Sequence, residues 1–512
     1  MPHEKDVIIV GAGLSGLSAA KLLKEQGIDV VILEAKDRVG GRTYTLKGSN
    51  YGYADAGAEY FGAPCRRLLR MMKEFGIEHF PMYQEGVRIL EVAGSTYRGE
   101  NGKLNMYNPI TILDMNHFGI AVDEVTEKIS LHSPWDSEDA EYLDSITMDE
   151  WLNKTMWTAA TREFGRFMVF SILFHEADVV SALFFFWYIK TGKGFRTIMV
   201  TAQNRRAIGG TQQVSERIAE SLNGAVMLNS PVVSVEDSSR DITVTTKDGA
   251  EYKANHVIMA LPPALQSKIA FNPQLPVGKQ EMIRLIEKNV KRVRGLYKMI
   301  VFYKRAFWRE KGYSGDVFCA NSFMRAIIDN TKADGSYPAL QVVCDGRSRE
   351  TMTKDERVKK ICEHAAKHFD CEEALHPLDV VCYDFFEDEY TACCINVLPP
   401  GALTKYGRYL RSPHGNVYFA GTETATEFST WMNGAIEAGE RAAREVLHAI
   451  GKIGKDEIWQ EEPECPDLPD IPVTVPLLDR MLPSVTGLLR FLGGVALIGG
   501  VVAAAIVQQR MQ

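Results

Sequence analysis

Gly11, Gly13 and Gly16 stand in "VIIVGAGLSGLSAAKLL", between an apolar run and a helical pattern, and an acid, Glu34, ends the next apolar run. That spacing reads as a phosphate-binding turn with a ribose partner. The first glycine makes the tight turn, the second lets backbone approach a pyrophosphate, and the third lets helix and strand pack closely. The helix N-terminus adds free N–H groups and the positive end of its dipole. The acid bonds ribose hydroxyls. The chemistry predicted is binding of a dinucleotide, with nicotinamide and flavin forms both open. Downstream, "LEAKDRVGGRTYT" carries Asp37, Arg38, the pair Gly40-Gly41 and Arg42, which adds cationic donors and a second close backbone approach. Far along the chain, Cys393-Cys394 offers nucleophilic sulfur.

The elements that must position these residues follow from pattern. "DVIIV" and "DVVIL" read as buried strands with "SGLSAAKLLKEQ" as the helix between them, a βαβ unit. "TQQVSERIAESL" reads as a helix after Gly209-Gly210, "TKDGAEY" as a hairpin, and "HVIMALPP" as a buried strand ended by prolines. "VYFAGTETA" reads as strand and loop, followed by the helix "NGAIEAGERAAREVLHAI". Residues 85–200 and 292–390 read as a substrate region, in which the aromatic run "SALFFFWYIK" is core.

The chain has 512 residues, beyond the roughly 250–300 at which single cores stop growing, so two intertwined domains are expected. Net charge is -8, and the basic stretch "KNVKRVRGLYK" is scattered, which argues against nucleic acid as the main partner. The 9 cysteines are odd in number and lack metal-ligand spacing. They predict a reducing compartment and no metal site. No secretory signal precedes the first strand. At the other end, "FLGGVALIGGVVAAAIVQQ" is free of charge between Arg490 and Arg510. About 20 apolar residues span a bilayer as a helix, so a transmembrane helix is expected at about 488–508, acting as a tail anchor with everything before it on the cytosolic side. Residues 455–480, rich in proline and acid, read as an extended lead-in.

"RVGGR" together with "YFAGTETATEFSTWMNGAIEAGERAA" resembles the FAD-binding signatures of the flavin amine oxidase superfamily, and disfavours a nicotinamide enzyme. Within it, "EAKDRVGGRTYTL", "GGTQQVSERI", "FNPQLP", "YKRAFWREK", "PPGALTKYGRYLR" and "DEIWQ" resemble the monoamine oxidases nearly end to end. The resemblance implies an α/β fold: a Rossmann-like FAD-binding domain interleaved with an α+β substrate domain, plus the C-terminal membrane helix. The FAD-binding parts are expected at 1–85, 209–291 and 390–454, the substrate parts at 86–208 and 292–389, and the membrane tail at 455–512. The FAD site implied includes Gly11, Gly13, Gly16, Glu34, Arg38, Gly40, Gly41, Arg42, Val232, Phe385, Gly421, Thr422 and Met432.

The family joins its flavin to a cysteine through an 8α-thioether. Counting from Tyr390 puts that cysteine at Cys394, and counting back from Pro399-Pro400 puts it at Cys393. Lys298 matches the lysine that holds a water against the flavin, so a water and the flavin are expected to satisfy its ammonium. Two tyrosines that flank the amine path in the family fall at Trp431 and at Ile395, or at Cys394 under the other count. A tryptophan near the flavin falls at Phe385. Gln203 matches a glutamine that orients the substrate, Ile198 falls near a gate position, and Ala326 replaces a bulkier gate. The implied reaction is oxidative deamination of an unprotonated amine to aldehyde, ammonia and hydrogen peroxide, with O2 as acceptor. The implied setting is a homodimer in the mitochondrial outer membrane. A polyamine oxidase, and a catalytically weak membrane-anchored flavoprotein that binds rather than turns over, are the competing readings.

Overall fold

The computed structural model describes residues 3–490, apart from 93, 101–102, 105–107, 239–240, 294, 392, 472 and 474–480. Its chain is mixed α/β and is organised by two eight-stranded sheets. The first runs in the order Val226–Met227, Val30–Leu33, His3–Val10, Glu251–Met259, Ile242–Thr246, Val232–Asp237, Ala270–Asn272, with Val417–Phe419 also paired to Glu251–Met259. Val7–Val10 pairs in parallel with Val30–Leu33 on one side and His256–Met259 on the other. Strands covered on both faces read as unbroken apolar runs, and Ile8, Ile9 and Ile32 are fully buried. The predicted hairpin is present: Ile242–Thr246 and Glu251–Met259 run antiparallel around Gly249, whose φ of +85° suits glycine.

The helix Leu14–Glu25 leaves the first strand through Gly11 and packs on the long helix Met432–Ala449. A Cβ on Gly439 would sit 2.0 Å from the Ser15 carbonyl oxygen, so only glycine lets these two helices touch there.

The second sheet runs Asp379–Tyr383, Leu296–Phe302, Ala339–Asp345, Met324–Asp329, Tyr313–Cys319, Val87–Val92, Ser95–Glu100, Lys103–Leu104. Each sheet thus draws on chain segments separated by segments of the other. The helices Pro109–Glu127, Ala159–Leu173 and Ala182–Thr191 build the largest core. The aromatic run lies in the last of them, buried from Ala182 to Ile189, as core rather than as cavity wall.

After the helix Met432–Ala449 the described chain is pinned to the body by its acids. Arg66 binds Asp470 at 2.5 Å, Arg70 binds Glu462 at 2.7 Å and Lys73 binds Asp467 at 2.7 Å. Trp157 Nε1 donates to Thr486 Oγ1 at 2.8 Å. Among the described residues no helix is long and apolar enough to cross a membrane. The expected membrane helix at about 488–508 lies, from residue 491, outside them.

Candidate active site

A long cavity opens where the first sheet's parallel strands end. Gly11 and Gly13 line it with Glu34, Gly40, Gly41 and Arg42. Val232, Phe385, Cys394, Gly421, Thr422, Trp431 and Met432 line it too. Chain segments hundreds of residues apart therefore share one wall.

The glycine turn is built as its spacing predicts. Gly11 has φ +102°, and a Cβ there would meet the Ala260 carbonyl oxygen at 2.9 Å. Gly16 does not line the cavity: a Cβ there would fall 2.0 Å from the Gly11 carbonyl oxygen, so this glycine sets how closely helix and turn pack. Gly13 faces open space, with nothing within 4 Å of an added Cβ. It is the N-cap of Leu14–Glu25 and supplies no side-chain cap. First-turn N–H groups need an external partner at such an end. Trp431 likewise leaves Met432–Ala449 without a side-chain cap, so two uncapped helix N-termini meet one cavity, as an anionic ligand requires.

Glu34 is buried and accepts from Ala12 N at 2.6 Å and Lys36 N at 3.0 Å. Burial holds its carboxyl above the ordinary range, against the pull of those two donors. Gly40 N donates to Ala12 O at 2.8 Å, which lays the second glycine pair against the first turn. These features fit FAD: an open glycine cradle for the pyrophosphate, a buried carboxylate for the ribose, and a cavity long enough to reach Phe385, Cys394 and Trp431. Arg38 does not line the cavity. It donates to the carbonyls of Val39, Thr43 and Gly41 and stacks on the Tyr44 ring, 3.9 Å from its centroid, so it shapes the loop instead.

The two cysteines are placed differently with respect to the cavity. Cys394 lines the cavity; Cys393 does not, and its Sγ donates to Asn396 Oδ1 at 3.2 Å. Burial pushes the Cys393 thiol up to about 12 and raises that of Cys394, with Arg42 opposing in both cases. Arg42 itself bonds Glu423 at 2.8 and 3.2 Å and the Cys394 carbonyl at 3.0 Å.

Lys298 departs from expectation. Its Nζ donates to Asp55 O at 2.7 Å, Gly57 O at 2.9 Å and Glu59 Oε2 at 2.8 Å. An ammonium has three protons, so protein oxygens use them all, where a water and the flavin were expected to do so. Lys298 does not line the cavity. Glu59, fully buried, also pairs with Arg206 at 2.7 Å and accepts from Asn330 Nδ2 at 2.7 Å. Burial alone would raise this carboxyl, but Lys298 and Arg206 outweigh it and hold it at about 2.

The remaining predicted substrate residues are not brought to the cavity. Ile395 is buried in the largest core beside Cys393. Gln203 donates to Ile198 O at 3.3 Å, Ile198 is fully buried, and Ala326 sits within a strand opposite Phe318 and Val343. Sequence reasoning missed Tyr188, which accepts from Trp431 Nε1 at 2.6 Å and fixes that ring. It also missed Lys36 and Lys268 on the cavity wall. The aromatic run containing Tyr188 was visible, but nothing local marked which of its rings reaches Trp431.

The pattern describing flavin containing amine oxidoreductases matches residues 14–447. Human amine oxidase [flavin-containing] B is 42% identical over 502 residues, covering 96% of both chains. Pig amine oxidase [flavin-containing] A is 40% identical over 500 residues, covering 96% of this chain and 94% of its own. Among solved structures, cyclohexylamine oxidase from Brevibacterium oxydans superposes with a TM-score of 0.82 at 29% identity, covering 87% of this chain and 99% of that one. Putrescine oxidase bound to putrescine gives 0.81 at 28%, covering 88% and 100%.

Proposed function

From a chain that belongs to the flavin-containing amine oxidases, we propose a monoamine oxidase that carries FAD covalently on Cys394. Bound FAD supplies the two-electron oxidation of the amine's α C–H bond and passes the electrons to O2. The protein's part is holding and orientation. Gly13 and the two helix N-termini would hold the pyrophosphate, and Glu34 the ribose. Cys394 would form the 8α-thioether, and Phe385 and Trp431 would border the reacting end, with Trp431 fixed by Tyr188.

One observation carries the monoamine reading: among the described residues, every charge on the cavity wall is already engaged. Lys36 pairs with Asp388, Arg42 with Glu423, and Lys268 donates to Glu389 O at 3.0 Å. The single acid, Glu34, accepts from two backbone N–H groups. With Glu34 assigned to the ribose, no carboxylate among the described wall residues is left for a second ammonium, and an uncharged amine is the form such a wall accepts. This favours a monoamine over a polyamine.

The domain plan proposed is the interleaved one. Residues 1–85, 209–291 and 390–454 form the cofactor domain, and 86–208 with 292–389 the substrate domain. Membership of the two sheets supports it. The uncharged stretch after Arg490 supports a tail anchor. The likeness to monoamine oxidases supports the mitochondrial outer membrane and a homodimer.

The test is acid denaturation of the purified protein, peptide mapping and peroxide release. Flavin retained on a peptide at Cys394, with peroxide from benzylamine and little from putrescine, is expected. Flavin released freely, or turnover of putrescine alone, overturns the reading.

A further inference from the structure

Four side chains converge away from the cavity. Glu91 lies in the strand Val87–Val92 and Cys319 ends the strand Tyr313–Cys319, and the two are register partners in that parallel pair. His364 and His368 stand four residues apart on the helix Lys354–Phe369, so they share a face. Their ligand atoms all lie within 4.8 Å of one another. Cys319 Sγ is 3.3 Å from His364 Nε2. Glu91 Oε1 is 3.3 Å from His368 Nε2, and Oε2 is 3.9 Å from His364 Nε2. Tetrahedral zinc, with bonds of about 2.0–2.3 Å, separates its ligand atoms by roughly 3.3–3.7 Å. The cluster is close to that size already.

We infer that Glu91, Cys319, His364 and His368 form a binding site for one zinc-class divalent cation, which clips the helix Lys354–Phe369 to the two paired strands. The donor set is that of such a site: one thiolate, two imidazoles and one carboxylate. Binding replaces the Cys319 thiol proton, which leaves to solvent, and the thiolate and carboxylate then balance the dication. A second observation points the same way. His368 is 2% exposed in its side chain, and its buried Nε2, though 3.3 Å from Glu91 Oε1, makes no hydrogen bond of acceptable geometry. A buried ring nitrogen left so is costly, and a metal ion supplies the missing partner. Sequence spacing could not reveal this set. Only the two histidines are local, and the fold brings Cys319 and Glu91 to them.

The experiment uses full-length flavoprotein purified without a metal-affinity step. Elemental analysis after dialysis against a weak chelator is expected to find about one zinc per chain. Stripped protein titrated with cobalt(II) is expected to develop a near-ultraviolet thiolate-to-cobalt band and the visible bands of tetrahedral cobalt. Cys319→Ser and His368→Gln are expected to lose more than tenfold of the metal, and Cys319→Ser the charge-transfer band. Flavin content and peroxide release should stay unchanged, which shows that the variants fold. Wild-type protein that retains no zinc and develops no cobalt band overturns the proposal, whatever the variants do. So does a cobalt spectrum that Cys319→Ser leaves intact.

Discussion

Gly13→Ala and Gly16→Ala differ by three positions and should fail in opposite ways. Gly13 has φ -74° and ψ 174°, an extended conformation that alanine adopts without strain. Its added Cβ meets nothing within 4 Å. The cofactor-free fold should therefore be unharmed, or gain roughly 0.4–1 kcal/mol from a less flexible unfolded chain. The methyl group does intrude on the space assigned to the pyrophosphate. Overpacking of one such group costs ~1–3 kcal/mol, which weakens binding roughly 5- to 150-fold. At Gly16 the Cβ would lie 2.0 Å from the Gly11 carbonyl oxygen, where ordinary contact begins at 3.4 Å. Helix and turn would have to part by the difference, so ~3 kcal/mol or more of fold stability should go. The assay is FAD titration by fluorescence quenching in a Cys394→Ala background, so that retention reports affinity alone, beside thermal melts of the cofactor-free proteins. If Gly13→Ala binds FAD as tightly as its parent, the cradle is misassigned. If both variants melt alike and bind alike, the distinction between cradle and packing glycine is wrong.

Glu59→Gln should cost ~3–5 kcal/mol at neutral pH, because it leaves Lys298 and Arg206 buried without their shared anion. The carboxyl sits near 2 when folded against an ordinary 4.5. Its contribution is thus present above pH 4.5 and fades as pH falls toward 2, and denaturant melts across that window should lose less stability in the variant than in the wild type. Arg42→Ala strands Glu423, whose side chain is 6% exposed; a fall of ~3–5 kcal/mol in denaturant melts is expected, together with a reduced covalent flavin fraction by absorbance of the acid-precipitated protein. Tyr188→Phe removes the acceptor of the Trp431 indole N–H. The loss of ~1 kcal/mol of orientation should raise KM for benzylamine roughly fivefold with flavin content unchanged, measured by peroxide-coupled kinetics.

Segments whose structure is decided locally were legible in the sequence. The βαβ unit from His3 to Leu33 has apolar runs of the right length around three glycines, and the hairpin at Gly249 carries its own turn chemistry. Whatever depends on side-chain direction in an irregular loop was not. Counting along the chain left Cys393 and Cys394 both open, because the two ends of their loop give different registers. The fold separates them by tying the Cys393 sulfur to Asn396 and placing Cys394 on the cavity wall. Lys298 was visible as a lysine in an apolar strand, but its partners come from residues 55–59, more than two hundred positions away, and no local pattern announces them.

The same geometry explains how the cysteine loop is held in place. Glu423, from the "GTETA" loop, accepts from Arg42 and, at 2.6 Å, from Asn396 Nδ2. Arg42, from the second glycine pair, also holds the Cys394 carbonyl, and Asn396 holds Cys393. The cysteine loop is thus tied at Cys394 and Asn396 by segments that belong to the cofactor cavity itself, and braced internally by the bond from Cys393 to Asn396. Arg42 and Glu423 also neutralise each other's charge. What they leave on the cavity wall is Cys394 beside an internally neutralised ion pair, a surface that an uncharged amine and a flavin edge can share.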